Sequence, residues 1–227
     1  MSAGGGQRVF WWVLGLTLLA IVASVWFSDR TPPHMPKYLP WEIQPLAGGT
    51  SRVFGIELGR SPLSALEQAL EQPAEVSLFA QRDGRKSLEA YFDSVTLAGI
   101  KARMVVVLGM NQALLQKMFD RGARIATLPS GQRKVTLSDP DLLLAREAPV
   151  AAITFLPRSD LDEATVRRRF GDPAEKIAEP SGEVVHWLYP PLGLDIAIGA
   201  ESLEVFQYVP PKDFARLTAP LYEALQK

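Results

Sequence analysis

The sequence predicts an α+β chain, with an N-terminal transmembrane helix followed by two tandem helix-plus-antiparallel-three-strand units. Three observations carry this expectation. Val9 to Phe27 (VFWWVLGLTLLAIVASVWF) holds no charge. As a helix it would span roughly 28 Å, close to the ~30 Å hydrocarbon core of a bilayer. Leu66, Leu70, Pro73, Ala74 and Glu75 match Val166, Phe170, Pro173, Ala174 and Glu175 at a constant offset of 100 residues. Beyond each copy comes a turn, Asp83-Gly84 or Ser181-Gly182, and then apolar alternation of the kind strands show.

In chain order, residues 1–8 read as a polar tail and 9–27 as the membrane helix. Residues 28–50 read as a Pro-rich spacer, 51–122 as the first α+β unit, 123–149 as a connecting hairpin and short helix, and 150–227 as the second unit. Phe10, Trp11 and Trp12 lie at one end of the apolar run and Trp26 and Phe27 at the other, where amphipathic rings favour the headgroup level. The run is longer than the ~7–15 residues of a cleavable signal. That favours an uncleaved signal-anchor over cleavage at Val22-Ala23-Ser24. Flanking charge (Arg8 against Arg30 and Lys37) leaves orientation undecided. The short polar tail favours a single-pass anchor with the bulk of the chain outside the cytoplasm. Pro32, Pro33, Pro36, Pro40 and Pro45 make the following stretch a semi-rigid, extended spacer.

The first unit opens with Ser61-Pro62, an N-cap followed by a proline at the first helical position. Strands are expected at 76–80, 88–97 and 101–108, then a helix from Asn111 to Arg121. The connector should turn at Pro129-Ser130-Gly131, continue into a helix capped by Asp139, and end in a strand from Val150 to Leu156. In the second unit Asp160-Leu161-Asp162-Glu163 has capping-box form. Strands are expected at 184–189, 194–198 and 203–209, with a helix over 211–217 that Pro220 stops or kinks. Two such units should join into one two-layer body.

Composition excludes several classes of function. Charged residues are 22% of the chain and the formal net charge is -1, so there is no electrostatic footprint for nucleic acid. Cysteine is absent, which removes disulfides, thiol nucleophiles, Cys-ligated zinc and the acylated cysteine of a lipoprotein. No GxSxG, HExxH or Walker loop occurs. Asp160, Asp162 and Glu163 suit a helix N-terminus better than a catalytic carboxylate pair. His34 falls in the spacer. His186 alternates with Val184 and Leu188 and has Asp195 as its nearby candidate partner. Arg158, Arg167, Arg168 and Arg169 form the densest basic cluster; three consecutive positions fan around a helix, so solvated faces are the first reading. No catalytic residue, cofactor or metal ligand is assigned.

The candidate interaction face is aromatic. Trp187 and Tyr189 share a strand face, as do Phe206 and Tyr208, and Pro190-Pro191 make an adjoining corner. If the two faces coincide, they line one side of the sheet as aromatics do at protein interfaces. The alternative is that a helix or the other unit covers them as core.

Val166-x-x-x-Phe170-Gly171-Asp172-Pro173 followed by Trp187-Leu188-Tyr189 resembles the outer-membrane assembly lipoprotein family (SmpA/OmlA, BamE-like). The first unit keeps Gly59-x-Ser61 but has Glu71 where Gly171 sits, and Glu89-Ala90-Tyr91 in place of the tryptophan motif. A tandem of such units also resembles the β-lactamase inhibitor protein architecture. The resemblance implies a helical start before a three-stranded antiparallel sheet, and a bacterial envelope protein that works by contact with other macromolecules. With the anchor, that puts it in the inner membrane with the bulk of the chain periplasmic and an envelope protein as the expected partner. The expectation is a non-enzymatic, membrane-anchored periplasmic binding or assembly module. An inhibitor-like or ligand-sensing domain, and an enzyme of unrecognised type, are the alternatives.

Overall fold

The computed structural model describes residues 38–225 except 98, 159, 160 and 200–203. These belong to one of the two units into which the chain divides, Pro36–Lys227. Three short strands come first, β1 (Gln44–Leu46), β2 (Thr50–Val53) and β3 (Ile56–Glu57), which pair as an antiparallel meander. The two-residue loop between β2 and β3 is Phe54-Gly55, both at positive φ (50° and 81°). That is the geometry of the hairpin turn whose twist matches its strands. The Tyr38 ring lies so close to Gly55 that a Cβ there would sit 2.6 Å from it.

The first half of the body continues with α1 (Leu63–Leu70), β4 (Glu75–Ala80), β5 (Lys86–Leu97), β6 (Ile100–Leu108) and α2 (Gln112–Asp120). A connector follows: β7 (Arg124–Thr127), β8 (Arg133–Thr136) and α3 (Asp139–Arg146). The second half is β9 (Val150–Pro157), α4 (Glu163–Phe170), β10 (Glu175–Ala178), β11 (Val184–Tyr189), β12 (Leu194–Gly199), β13 (Val205–Tyr208) and α5 (Ala215–Leu225). A 3-10 turn at Pro190–Leu192 links β11 to β12, and another at Pro211–Asp213 leads into α5.

β4 to β13 form a single ten-stranded sheet in the order β10-β11-β12-β13-β9-β6-β5-β4-β8-β7, antiparallel throughout. This corrects the predicted fold class. The described chain is mostly sheet, and the expected pair of three-stranded units is merged into one. The physical reason lies at the seam. β6 and β13 would each end a half-sheet with a row of unpaired N–H and C=O groups, and β9 pairs with both. The β7–β8 hairpin does the same for the outer edge of β4.

The membrane assignment is corrected as well. No helix among the described residues is long and apolar enough to cross a membrane. The single-pass anchor, the signal-anchor reading and the inner-membrane, periplasmic placement therefore lose their support. Residues 9–27, with Phe10, Trp11, Trp12, Trp26 and Phe27, lie outside the described residues, as does His34.

Register places one apolar row after another on the inner face of the sheet. One row reads Val76, Ala90, Val106, Ile153, Tyr208, Leu194 and Tyr189 across β4, β5, β6, β9, β13, β12 and β11. The next reads Phe92, Met104, Phe155, Phe206, Ile196 and Trp187. Leu63 and Leu66 of α1, Leu115 and Met118 of α2, Ala145 of α3, Val166 of α4 and Phe54 of the meander complete this main core. A second, smaller core lies on the outer face. Phe214, Leu217 and Leu221 pack there on Ile177, Leu188 and Val209.

Several local expectations shift by a residue or two. Asn111 caps α2, its side chain accepting from the Leu114 N–H at 2.8 Å. The N-cap of α1 is Pro62, while the Ser61 hydroxyl accepts from the Glu57 N–H at 3.0 Å. Asp162 caps α4 through the Thr165 N–H at 2.6 Å; Asp160 lies outside the described residues. α3 is preceded by Ser138, not Asp139, and its buried Asp141 accepts both from Ser138 and, in bidentate fashion, from Arg121. Pro220 lies inside α5 rather than ending it.

Candidate functional site

The four aromatics do share one face, because Trp187 opposes Ile196, which opposes Phe206, and Tyr189 opposes Leu194, which opposes Tyr208. That face is the inner one. Trp187, Tyr189, Phe206 and Tyr208 are 1%, 4%, 1% and 1% exposed, so they build core and offer no docking surface. Phe54 is stacked on Phe155 at 5.6 Å between centroids and meets Tyr208 edge-on at 5.2 Å. Phe170 of α4 contacts Tyr189 and Phe206, each at 5.9 Å. Burial holds the Tyr208 hydroxyl well above the usual phenol range, and it donates to the Pro40 carbonyl at 3.0 Å. Part of the expected spacer is thus fastened to the body. Pro190 is partly buried and Pro191 exposed, both within the 3-10 turn.

The motif residues that carry the family resemblance meet in space. Tyr189 donates to the carbonyl of Gly171 at 3.0 Å, and Gly171 holds a φ of 78° that favours glycine. Burial, with Asp172 adding to it, pushes the Tyr189 hydroxyl up to about 12. Arg167 and Lys176 lie over the Trp187 ring at 5.4 and 3.6 Å. In this chain the motif locks α4 to the sheet. The arginine fan separates as its spacing requires: Arg167 reaches Asp172, Arg168 the Thr165 hydroxyl, and Arg169 the Trp41 ring.

His186 and Asp195 do come together, as diagonal neighbours on the outer face of β11 and β12. Nδ1 lies 2.8 Å from Asp195 Oδ2 and Nε2 lies 3.3 Å from Glu179 Oε1. A neutral imidazole has a single N–H, so only the imidazolium satisfies both carboxylates. Asp195 is the main cause of a raised histidine pKa, burial opposing it and Glu179 adding to it. Asp195 Oδ1 is buried with no hydrogen-bond partner. His186 is 5% exposed, and neither of the two clefts described below is lined by it. A general base needs access to a substrate proton, and among the described residues this ring is buried between two carboxylates. Among the described residues no group of three His, Cys, Asp or Glu side chains is placed to hold a metal ion.

Among the described residues, two clefts open to solvent stand out. One of about 450 Å³ lies beside Tyr38, Ile43, Arg52 and Phe54. The other, about 310 Å³, lies on the outer face of the first half and is lined by sheet residues alone: Glu75, Ser77, Phe79, Glu89, Tyr91, Val105 and Lys134. Lys134 Nζ binds Glu75 Oε1 at 2.7 Å, Ser87 donates to Glu89 Oε1 at 2.6 Å, and Tyr91 donates to Asp93 Oδ1 at 3.0 Å. This second cleft was not assigned from sequence. The visible sign was Ser77-x-Phe79 and Glu89-x-Tyr91, large aromatics on the polar side of alternating strands. No protein family, curated protein or solved structure matches this chain.

Proposed function

We propose that this chain is a non-enzymatic binding or assembly module whose protein partner docks on the outer face of the first half of the sheet. One observation carries the reading. α5 covers that face over the second half, whereas over β4, β5 and β6 the cleft is walled by the sheet alone. Phe79, Tyr91 and Val105 lie there half-buried around Glu89, with Glu75 and Lys134 at the edge. An apolar, aromatic centre with a charged rim is the anatomy of an interface. The resemblance to an assembly family supports the same class.

The test is site-specific photocrosslinking in the native cell. A photoreactive phenylalanine replaces Val105, and, as control, Arg168 on the exposed side of α4. A discrete adduct from the first position and none from the second supports the reading. The same adducts from both, or none from either, sinks it.

A further inference from the structure

We infer that the cleft of the first half is a seat for one cationic side chain, an arginine or lysine presented by a protein partner. This rests on the binding-module reading above and names the chemistry of its contact. Register sets Glu89 opposite Ser77, with Phe79 one row to one side and Tyr91 one row to the other. A carboxylate therefore stands between two aromatic rings on a single face. Glu75 is engaged by Lys134, whose ammonium closes one rim. Glu89 uses Oε1 for Ser87, and its Oε2 has no partner among the described residues. Two carboxylates and one ammonium leave the lining itself formally negative, while Arg103 and Arg158 act on the Tyr91 hydroxyl from beyond it, on the side of Asp93.

The rest of the chain shows what its aromatic rings attract. Phe119 carries Lys86 and Arg133, Trp187 carries Arg167 and Lys176, and Trp41 carries Arg169. Among the described residues Phe79 and Tyr91 carry no cation, although Glu89 stands between them. A guanidinium or ammonium satisfies the carboxylate and lies against the rings at once. An anionic guest meets Glu75 and Glu89, and an aliphatic guest buries Glu89 without a partner.

The experiment is amide-shift mapping on the full chain with four peptides, acetyl-Thr-X-Thr-amide, where X is Arg, Lys, Leu or Glu. The Arg and Lys peptides should give saturable shifts at Ser77, Phe79, Glu89 and Tyr91. Glu89→Gln should weaken the Arg peptide about tenfold, the effect of losing one charge-assisted hydrogen bond. Phe79→Leu, which keeps the site apolar without the ring, should weaken it severalfold. Binding of the Leu or Glu peptide as tight as that of Arg overturns the inference. So does a Glu89→Gln variant with unchanged unfolding midpoint and unchanged affinity. A partner crosslinked from position 105 whose capture ignores Glu89→Gln overturns the cation seat and leaves the binding module standing. Arg-peptide binding with no crosslinked partner supports the seat and removes the binding-module reading.

Discussion

The two halves of the sheet present the same outer face and treat it in opposite ways. The helix that closes the first half, α2, packs Leu115 and Met118 into the main core on the inner face. The helix that closes the second, α5, packs Leu217 and Leu221 on the outer face. As a result, Leu188 is 1% exposed beneath α5. Val105, on the same row four strands away, is only partly buried. A repeat in sequence therefore does not impose a repeat in coverage. Mixed apolar and polar outer strands are compatible with either state, and a non-local helix decides between them.

The largest expected effect tests that contrast directly. Leu188→Ala should lose about 3 kcal/mol in urea unfolding, as buried leucines do. Val105→Ala should lose less than about 1 kcal/mol. Equal losses would mean that the first half is covered after all.

A smaller contrast lies in two glycines that open corresponding strands. A Cβ on Gly193, at a φ of 67°, would clash with the Val209 carbonyl, whereas one on Gly99, at 82°, meets no atom of the described residues within 4 Å. Gly193→Ala should cost about 3 kcal/mol or less, through both clash and strain. Gly99→Ala should cost about 1 kcal/mol through strain alone. If thermal unfolding ranks them the other way, the Pro190–Val209 corner is softer than drawn.

The subtlest test is pH, because the connector and the second half each bury a carboxylate with a different partner. In the first, Arg121 holds Asp141 below the usual carboxylate range, with Ser138 assisting against burial. That stabilisation is present above about 3.9, the ordinary value, and fades as pH falls through the depressed one. In the second, His186 is raised by Asp195, so its contribution is complete below about 6.5 and is lost as pH rises through the raised value. Hydrogen exchange should show α3 loosening first in acid, and β10 with β11 loosening first as pH rises past the raised value of His186. Simultaneous loosening of both regions at each extreme would make them one cooperative unit.

Legibility in the sequence followed the range of the forces involved. The β7–β8 turn, the helix from about Asn111 and the strand at β9 were readable, because turn chemistry and alternation are local. β10 and the β1–β3 meander were missed. Both are short, and Glu175–Ala178 is a strand chiefly because β11 supplies its partner. Trp187 with Tyr189, and Phe206 with Tyr208, were each read as sharing a face, which local period 2 gives; that the two faces coincide was set by the pairing of both strands with β12. Whether that face lay inside depended on Phe54 and Phe170 arriving from distant parts of the chain. The pairing of His186 with Asp195 was foreseeable as adjacent strands, but the third member, Glu179, was not.

Local pattern was enough to place most of the longer strands and helices to within a few residues, to show which residues of a strand share a side, and to exclude thiol and disulfide chemistry. Only the tertiary structure decided that β9 joins both halves into one sheet and that the aromatic rows are core. It also decided that one outer face is covered while its neighbour keeps an acidic, aromatic cleft. Periodicity is written over a few neighbouring residues, whereas edge pairing and burial are settled by whichever distant segment can satisfy the free backbone groups and apolar area.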